Sequence, residues 1–351
     1  MLKNDAITVL VTGVGAPPGV SIFKAFRQAR LNLRLIATDA DPLSVGLFRA
    51  DVAYRLPRIS ENEQEYIGRL KEICAAENVR LAAFGSEIEM RKMAPRRDKF
   101  EAESGTKLIL NSAQHIELFM DKWNMVQALN AKALPAPDSV LARPSPELEN
   151  FLAQHPFPVI LKPRLGSGSK NFYILKNREE LNFFSAYIPD AIIQEYLLPD
   201  NEEYTVGIYK SPCNGYVGQI VFKRDLAAGL TYKAEVVFDA EIEAVCRKLV
   251  ESFDIWGPIN IQLRKTSAGI KIFEVNLRFS SSAVMRACFG FNEAELCVQD
   301  LFLQQTIPPF NIRKGYALRY WDEIYIDENA LQCLRESGTI VKPRSTRIDD
   351  F

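Results

Sequence analysis

The segment KIFEVNLRFSSS, Lys271 to Ser282, reads as a strand with chemically capable side chains at alternate positions. Glu274, Asn276 and Arg278 are two residues apart, so the pleat of a strand turns a carboxylate, an amide and a guanidinium to one face. The intervening side chains are apolar and are predicted to face a core: Phe273, Val275, Leu277 and Phe279.

The segment PINIQLRKTSAGIKIFEVNLRF predicts a hairpin that turns at Ser267–Gly269, where Gly269 can take positive φ. A three-residue loop predicts these cross-strand pairs: Thr266 with Ile270, Gln262 with Glu274, and Asn260 with Asn276. Gln262, Glu274 and Asn276 then offer three oxygen donors on one face, which suits Mg²⁺. Arg278 can stabilise charge on a transferring phosphoryl group. A merely solvent-exposed strand face is the alternative.

A second motif, FPVILKPRLGSGSKNFYIL, places Lys162 at the end of an apolar strand and a loop of small residues before the next strand. The loop contains Gly166, Ser167, Gly168 and Ser169. Strand–loop–strand is the wrong context for a Walker A loop, but such a hairpin can fold over a triphosphate and offer backbone N–H groups. Lys162 would add a point charge beside the phosphates. A mobile hairpin tip with a surface lysine is the alternative.

The segment AIIQEYLLPDNEEYTVGIY joins two predicted strands through an acidic turn. An adenine ring needs an apolar slot and an edge of backbone donors and acceptors, and residues 194–197 can provide both. Glu203 or Glu202 could accept both hydroxyls of a ribose. An exposed acidic turn is the alternative.

The glycine motif VTGVGAPPGVS lies between a predicted strand and helix and resembles a dinucleotide-binding fingerprint, with Asp39 twenty residues after its last glycine. Its glycines are Gly13, Gly15 and Gly19. The spacing is one residue too long, and Pro17 and Pro18 remove N–H groups that a pyrophosphate would need. We therefore favour a tight turn in a Rossmann-like domain, lining a substrate cleft, over NAD or FAD binding.

Composition narrows the chemistry. The 351 residues are 47% hydrophobic and 25% charged with a net charge of −1, which favours two or three globular domains and neither nucleic acid nor an acidic membrane as partner. No apolar stretch approaches the ~20 residues of a membrane span, so we expect a cytoplasmic protein. Six cysteines without a CxxC pair predict reduced, mostly buried thiols.

Histidine is scarce, because only His115 and His155 occur. A histidine-cluster metal site is thereby excluded, and a Ser-His-Asp triad is disfavoured. Any chemistry must use carboxylates, amides, lysines and arginines, which points to phosphates and magnesium.

Strand and helix patterns alternate along the first third of the chain, which predicts a parallel sheet covered on both faces. Strands dominate after a proline-rich connector near residues 134–147.

Together with the motifs above, this order of strands and helices resembles the ATP-grasp superfamily over roughly residues 7–305. The best motif, EVNLRFSSS, is similar to the family's E-x-N-x-R followed by serines. The nearest resemblance is to the synthetase half-units of the carbamoyl-phosphate synthase large chain, with stand-alone carboxylate–amine ligases as equal candidates.

The resemblance implies an α/β architecture with an N-terminal Rossmann-like (pre-ATP-grasp) parallel-sheet domain and two α+β subdomains that clasp ATP. The implied division is residues 1–115 for the first domain, 116–192 for the small subdomain with its glycine-rich lid, 193–310 for the subdomain with the metal site, and 311–351 for a C-terminal extension.

The resemblance also implies residue roles. Lys122 and Lys162 would contact ATP phosphates, and Gly166 to Ser169 would form the lid. The nucleoside would be held by Glu195, Tyr196, Leu197 and Glu203. The metal ligands would be Gln262, Glu274 and Asn276, with Arg278 assisting phosphoryl transfer. The Gly15–Gly19 turn would face the acceptor. The segment FKRDLAAGLTYKAE, where the family often places acceptor-choosing residues, has no obvious counterpart in the family, and its candidates Lys223, Arg224 and Lys233 are chosen because their positive charge could hold an anionic substrate.

The expected activity is ATP- and Mg²⁺-dependent ligation, with Mn²⁺ as a substitute metal. A small-molecule carboxylate would be activated as an acyl phosphate and attacked by an amine or ammonia. A homodimer and an ammonia-supplying partner are left open. The rivals are a non-catalytic MgATP-binding regulator and, less favoured, an NAD-dependent oxidoreductase.

Overall fold

The computed structural model describes residues 6–166, 168, 170–342 and 345–346. The strands are β1 (Ile7–Thr12), β2 (Leu33–Asp39), β3 (Val52–Arg55), β4 (Leu81–Phe84), β5 (Lys107–Leu108), β6 (Ser139–Leu141), β7 (Val159–Pro163), β8 (Tyr173–Leu175), β9 (Ala191–Glu195), β10 (Glu203–Ser211), β11 (Gly215–Ala227), β12 (Leu230–Val237), β13 (Gly257–Thr266), β14 (Gly269–Asn276), β15 (Tyr316–Leu318), β16 (Tyr325–Ile326), β17 (Thr339–Val341) and β18 (Ser345–Thr346).

The helices are α1 (Pro17–Arg27), α2 (Glu63–Ala76), α3 (Glu87–Met93), α4 (Arg97–Ser104), α5 (Ala113–Met120), α6 (Lys122–Ala131), α7 (Pro146–Gln154), α8 (Arg178–Tyr187), α9 (Ala240–Ser252), α10 (Ala283–Cys288), α11 (Glu293–Cys297) and α12 (Glu328–Ser337). Short 3-10 turns cover Val45–Arg49 and Ala94–Arg96, and a π-helical turn, Val298–Phe302, continues α11. Across the described ranges, no helix is both long and apolar enough to cross a bilayer.

The N-terminal sheet has the strand order β17-β3-β2-β1-β4-β5, and β1 pairs in parallel with both β2 and β4. Leu10 and Val11 point to opposite faces of β1. Val11 shares a core with Phe26 of α1, whereas Leu10 shares one with Tyr66 of α2. Helices therefore cover both faces, and the prediction of a Rossmann-like parallel sheet is confirmed.

A smaller antiparallel sheet follows, with the order β6-β9-β7-β8. Helices α7 and α8 contribute Leu148 and Leu181 to its core. Strands β7 and β9 pair so that Ile160 lies opposite Gln194 and Lys162 opposite Ile192. The sheet therefore has an apolar face covered by helices, and β7 ends in the glycine-rich loop that the sequence predicted between two strands.

The large antiparallel sheet has the order β14-β13-β10-β11-β12-β15. Helix α9 covers one face, because Ile242 and Leu249 pack in a core with Ile261 of β13. On the other face Phe222 packs with Phe291, close to α10 and α11. The two antiparallel sheets beside the parallel sheet match the predicted α/β architecture.

A buried ion pair fixes α10 and α11 on the large sheet. The Arg286 and Glu293 side chains are both fully buried, with 3.0 Å between Arg286 Nη1 and Glu293 Oε1. Arg286 also donates to Asn260 Oδ1 and Thr205 Oγ1 on β13 and β10. A Cβ on Gly207 would lie 2.5 Å from this guanidinium, so the strand needs a glycine there.

The C-terminal extension, for which the sequence predicted no structure, joins two sheets. Strand β15 pairs with β12 at the edge of the large sheet. Strand β17 pairs antiparallel with β3, with Thr339 opposite Tyr54, so the chain returns to the N-terminal sheet. Leu334 of α12 is fully buried in the same core as Val11.

The β13–β14 hairpin corrects two details of the prediction. Thr266 pairs with Gly269 instead of Ile270, so the loop has two residues. A bulge at Phe273 then restores the predicted pairs of Gln262 with Glu274 and Asn260 with Asn276. Because of this bulge, Ile272 faces the core and Phe273 is only half-buried, so the prediction of Phe273 as a core residue is wrong.

The prediction of mostly buried thiols holds for half of the cysteines. Cys74, Cys246 and Cys297 are buried, whereas Cys213, Cys288 and Cys333 are exposed. Cys213 lies in a turn, Cys288 ends α10, and Cys333 lies within α12 at an exposed position.

Glycines allow close backbone contact at the edge of the N-terminal sheet, and this generates a stability prediction. A Cβ on Gly85 would lie 2.6 Å from both Gly19 Cα and Thr12 O. Gly85→Ala should therefore lower the free energy of unfolding in urea by about 1–3 kcal/mol through overpacking. The control is Gly68→Ala in α2, where nothing lies within 4 Å. It should raise that free energy by about 0.5–1 kcal/mol, and equal effects of both variants would contradict the packing account.

Candidate functional site

The predicted metal-binding row lies on one face of the β13–β14 hairpin. Glu274 is opposite Gln262, and Asn276 donates through Nδ2 to Glu274 Oε1 at 2.9 Å. That hydrogen bond leaves the Asn276 carbonyl oxygen available. Gln262 Oε1 instead accepts a 2.6 Å hydrogen bond from Arg224 Nη2. Glu274 and Asn276 therefore fit a hard divalent cation, whereas Gln262 could join only by releasing Arg224.

Arg278 is anchored across the interface between the large sheet and the N-terminal sheet. Its Nε and Nη2 atoms donate to Glu87 Oε1 of α3 at 3.2 and 2.6 Å, and its Nη1 donates to Phe279 O at 2.9 Å. The Arg278 side chain is 13% exposed. The ion pair thus holds a cation next to Asn276 in an orientation set by two sheets.

Lys162 reaches the same region from the small sheet. Its side chain is nearly buried, and Nζ donates to Gln194 Oε1 at 2.8 Å. Nζ also lies 5.9 Å from the centroid of the Phe273 ring. Burial, together with the charge of Lys122 and against the opposing effect of Glu274, lowers the pKa of Lys162 to about 7. Lys162 and Glu274 are therefore close enough to interact electrostatically.

Lys122 and the glycine-rich loop meet at the start of α6. Lys122 Nζ donates to Gly166 O at 2.6 Å. Asp121 caps the helix and pairs with Arg164 at 2.5 Å, which ties the loop's first residues to α6. Gly166 and Gly168 have φ values of +123° and +71°, which favour glycine. Ser167 and Ser169, predicted as part of the lid, lie outside the described residues.

Gly168 of the glycine-rich loop lies close to the large sheet at the turn between β11 and β12. A Cβ on Gly229, in the turn between β11 and β12, would lie 2.9 Å from Gly168 O. The glycine-rich loop therefore lies against this turn, and backbone rather than side chains makes the contact.

The residues predicted to hold the nucleoside lie on and after β9. Glu195 pairs with Lys271 at 2.9 Å and accepts from the Asp138 backbone N–H at 2.8 Å. Tyr196 donates to Asp200. Leu197 is buried, and its carbonyl accepts from Arg264 at 2.8 Å. This segment offers an apolar side chain beside backbone polar groups.

The two carboxylates predicted for a ribose are both paired with cations. Glu203 contacts Arg224 at 2.8 Å and Arg264 at 2.5 Å. Glu202 contacts Lys223 at 2.5 Å and accepts from Tyr204. Glu203 Oε2 accepts only the Arg264 hydrogen bond among the described residues, so it retains one acceptor position.

The residues predicted to hold an anionic acceptor are separated by these pairings. Lys223 is committed to Glu202, and Arg224 bridges Glu203 and Gln262. Lys233 is exposed and has no ion pair within the part of the chain that the structure describes. The structure therefore does not bring these three cations together around one ligand.

The Gly15–Gly19 turn is lined by carboxylates. The Gly15 N–H donates to Asp39 Oδ2 at 2.8 Å. Thr12 Oγ1 donates to Glu89 Oε2 at 2.5 Å, and burial raises the pKa of Glu89 to about 7. A pyrophosphate would meet negative charge and a committed N–H group here. The geometry thus agrees with the sequence argument against a dinucleotide.

Two partners of the site were not predicted from the sequence. Gln194 is buried with its neighbours in β9 and accepts a hydrogen bond from Lys162, so its polarity within an apolar strand was an available signal. Glu87 begins a helix in a different domain, and its sequence carries no sign of the contact with Arg278.

Two protein-family models match separate parts of the chain. Residues 187–324 match the family model described as ATP-grasp in the biosynthetic pathway with Ter operon, and residues 9–109 match the PylC-like N-terminal domain. The chain therefore contains an ATP-grasp domain and a PylC-like N-terminal domain.

Two curated relatives match part of the chain. An uncharacterised protein of Sinorhizobium fredii is 24% identical over 48% of this chain and 38% of its own length. The D-alanine–D-alanine ligase of Fusobacterium nucleatum is 26% identical over 56% of this chain and 63% of its own length. The chain thus spans less than two thirds of either relative.

Solved structures share the fold. N5-carboxyaminoimidazole ribonucleotide synthetase from Thermus thermophilus superposes with a TM-score of 0.69 at 15% identity, covering 98% of this chain and 94% of that one. The biotin carboxylase domain of Hydrogenobacter thermophilus 2-oxoglutarate carboxylase, solved with MgADP and bicarbonate, has a TM-score of 0.66 at 14% identity, covering 88% and 73%.

The lowered pKa of Lys162 predicts a pH-dependent stability. The folded pKa of about 7 lies below the ordinary value of 10.5, so the unfolded chain binds more protons between these values and stability rises with pH there. Below pH 7 the full cost of burying the charge is present. Lys162→Met should therefore stabilise the unliganded protein at pH 6 more than at pH 9. The difference between the two stabilisation free energies should be on the order of 2 kcal/mol.

The measurement is urea unfolding of wild type and variant at both pH values. Lys176→Met, at an exposed position, serves as the control and should change stability equally at pH 6 and pH 9. An equally large effect of Lys162→Met at both pH values would show that its ammonium is not desolvated.

Proposed function

We propose that the protein is an ATP- and Mg²⁺-dependent ligase. It would activate a carboxylate as an acyl phosphate, which an amine or ammonia then attacks to form a carbon–nitrogen bond. The observation that carries this proposal is the approach of Lys162 to Glu274. Glu274 precedes Asn276 by two positions in the sequence and Arg278 by four. Two separate sheets thus direct phosphate-binding and metal-binding groups to one cleft. The matches to a D-alanine–D-alanine ligase and to a carboxylase domain with MgADP support it.

The phosphates and the metal would share the cleft between the two antiparallel sheets. Lys122 and Lys162 supply positive charge to phosphate oxygens. Glu274 and Asn276 would hold Mg²⁺, joined by Gln262 once Arg224 releases it. When bound, Mg²⁺ supplies charge neutralisation across the phosphate oxygens. This placement uses hard oxygen ligands and needs no histidine.

The nucleoside would occupy the segment after β9. Leu197 and the neighbouring backbone would receive the adenine, with Glu195 and Tyr196 beside it. Glu203 retains one acceptor position for a ribose hydroxyl, while Arg224 and Arg264 hold its carboxylate in place. The Gly166–Ser169 lid would cover the phosphates.

The reaction requires two displacements. An oxygen of the acceptor carboxylate bonds to the γ-phosphorus while the bond to the β–γ bridging oxygen breaks, and ADP leaves with that electron pair. The amine nitrogen then bonds to the acyl carbon, phosphate leaves, and the nitrogen loses a proton. Arg278 would stabilise the charge of the transferring phosphoryl group, and Glu87 would position Arg278. Positioning and charge neutralisation account for the catalysis.

Finer assignments belong to the same proposal. The EVNLRFSSS motif supports an activity like that of carbamoyl-phosphate synthase half-units, but it concerns the ATP half of the site and leaves the acceptor open. We propose small-molecule acceptors, a cytoplasmic location and a homodimer. The near-neutral net charge favours small-molecule acceptors and the free thiols favour a cytoplasmic location, whereas the homodimer rests on the biotin carboxylase domain of Hydrogenobacter thermophilus, which was solved as a dimer.

A screen for ADP release tests the proposed reaction. Purified protein with MgATP should release ADP when a suitable carboxylate is combined with an amine or ammonia, and release should require both. Tight MgATP binding without turnover across the screen would favour a regulator. Thermal stabilisation by NAD but not by MgATP would favour the oxidoreductase.

Arg278 provides a sharper prediction. Because its proposed role is confined to the transition state, Arg278→Ala should leave the Kd for MgATP within about threefold and lower turnover by about 10²–10³. Calorimetry gives the Kd and a coupled assay gives ADP release. Arg313→Ala is the control, since Arg313 is exposed and donates to Cys288 O; it should retain both properties. A parallel loss of binding and turnover in Arg278→Ala would mean that Arg278 is a ground-state anchor.

A further inference from the structure

Arg319 differs from every other arginine that is buried or half-buried in the described ranges. The others each pair with a carboxylate: Arg34, Arg69, Arg97, Arg164, Arg178, Arg224, Arg264, Arg278 and Arg286. Arg319 is half-buried and contacts only carbonyl oxygens, without a carboxylate partner in the described part of the chain. Among the described residues, Arg319 is thus the one buried or half-buried arginine that has no carboxylate partner.

The contacts of Arg319 fix its orientation and leave part of the guanidinium unused. Nε donates to Thr231 O at 2.9 Å, and Nη2 donates to Ser281 O at 2.8 Å. Nη1 has no hydrogen bond to a described residue. Burial lowers the pKa of Arg319, and no acidic group opposes the shift. A desolvated charge without a counter-charge is costly, so a bound anion would recover part of that cost.

Arg319 also lies beside the proposed catalytic loop. Ser281 is three residues after Arg278, and the helix that follows, α10, contacts the N-terminal domain through a 3.0 Å hydrogen bond from the Val284 N–H to Ser21 Oγ. On the other side, Thr231 Oγ1 accepts from Arg224 at 3.4 Å. The guanidinium is therefore held between the loop that follows β14 and the start of β12, next to the edge of the large sheet.

We propose that Arg319, at the end of β15, binds an anionic group, either a carboxylate or a phosphate, of the acceptor substrate. The inference rests on the proposed ligase function and specifies which residue selects a negatively charged acceptor. It replaces the expected roles of Lys223, Arg224 and Lys233, because Lys223 and Arg224 are already neutralised by Glu202 and Glu203 and Lys233 is solvent-exposed. The C-terminal extension thereby contributes a substrate-binding side chain.

The first test uses the wild-type protein, so it does not depend on a variant that folds. The protein is saturated with Mg²⁺ and a non-hydrolysable β,γ-imido analogue of ATP, and then treated with phenylglyoxal with or without succinate or inorganic phosphate. Peptide mass spectrometry measures the modification rate of Arg319, with exposed Arg313 as the internal control. At ten times the Kd of the anion, the Arg319 rate should fall about tenfold, and the Arg313 rate should not change.

The two anions distinguish the chemistry that the subsite accepts. Protection by succinate alone assigns a carboxylate, and protection by phosphate alone assigns a phosphate group; either result supports the proposal. No protection by either anion, or equal protection of Arg319 and Arg313, overturns it. Failure of the wild-type protein to bind the nucleotide analogue would instead be a failure of the proposed function.

Variants give a second readout. Arg319→Gln should abolish the anion-induced rise in Tm of the nucleotide complex, and Arg319→Lys should restore part of it. With an anionic acceptor from the ADP-release screen, Arg319→Gln should raise the acceptor KM about 10- to 100-fold, as expected for loss of a charge-assisted hydrogen bond. The KM for ATP should stay the same. A fall in kcat with an unchanged acceptor KM would indicate that Arg319 only positions the Ser281 loop, and would contradict the proposal.

Discussion

The register of the β13–β14 hairpin determines which side chains face the cleft. Glu274 and Asn276 share a face with Gln262 because the bulge at Phe273 compensates for a loop one residue shorter than expected. Without that bulge, the pleat would turn Glu274 toward the core beneath the sheet, where Ile261 and Val275 are fully or almost fully buried. A carboxylate there would be desolvated without a partner. The extra residue is therefore required for both the core and the proposed metal site.

The remaining groups reach this face from other parts of the fold. Lys162 comes from the small sheet, and its loss of solvation makes its charge sensitive to Glu274. Arg278 is held by Glu87 from the N-terminal domain, almost two hundred residues earlier in the chain. Because helix α3 of the N-terminal domain and both antiparallel sheets contribute, the proposed site depends on how these parts pack together. Arg319 extends the same principle to the C-terminal extension, where β15 completes the edge of the large sheet.

Much of this arrangement could be predicted from local sequence patterns. The two-residue period of β14 placed Glu274 and Asn276 together, and strand–helix alternation predicted the parallel sheet. The bulge could not be predicted, because Ile272 and Phe273 are both apolar and either could face the core. Glu87 and strand β17 were missed for another reason: their partners are distant in sequence, and no periodic signal records such contacts. The pairing of Arg224 with Glu203 likewise depends on tertiary proximity, so the sequence showed the charge of Arg224 but not its partner.

A crystal structure with Mn²⁺ and ADP would test the central claim, that this hairpin face holds the metal of a bound nucleotide. The account predicts one anomalous manganese peak within about 2.5 Å of a Glu274 carboxylate oxygen, with the Asn276 carbonyl oxygen as a second ligand and Lys162 facing the phosphates. Manganese and nucleotide bound at the Gly15–Gly19 turn, with Glu274 unligated, would contradict it.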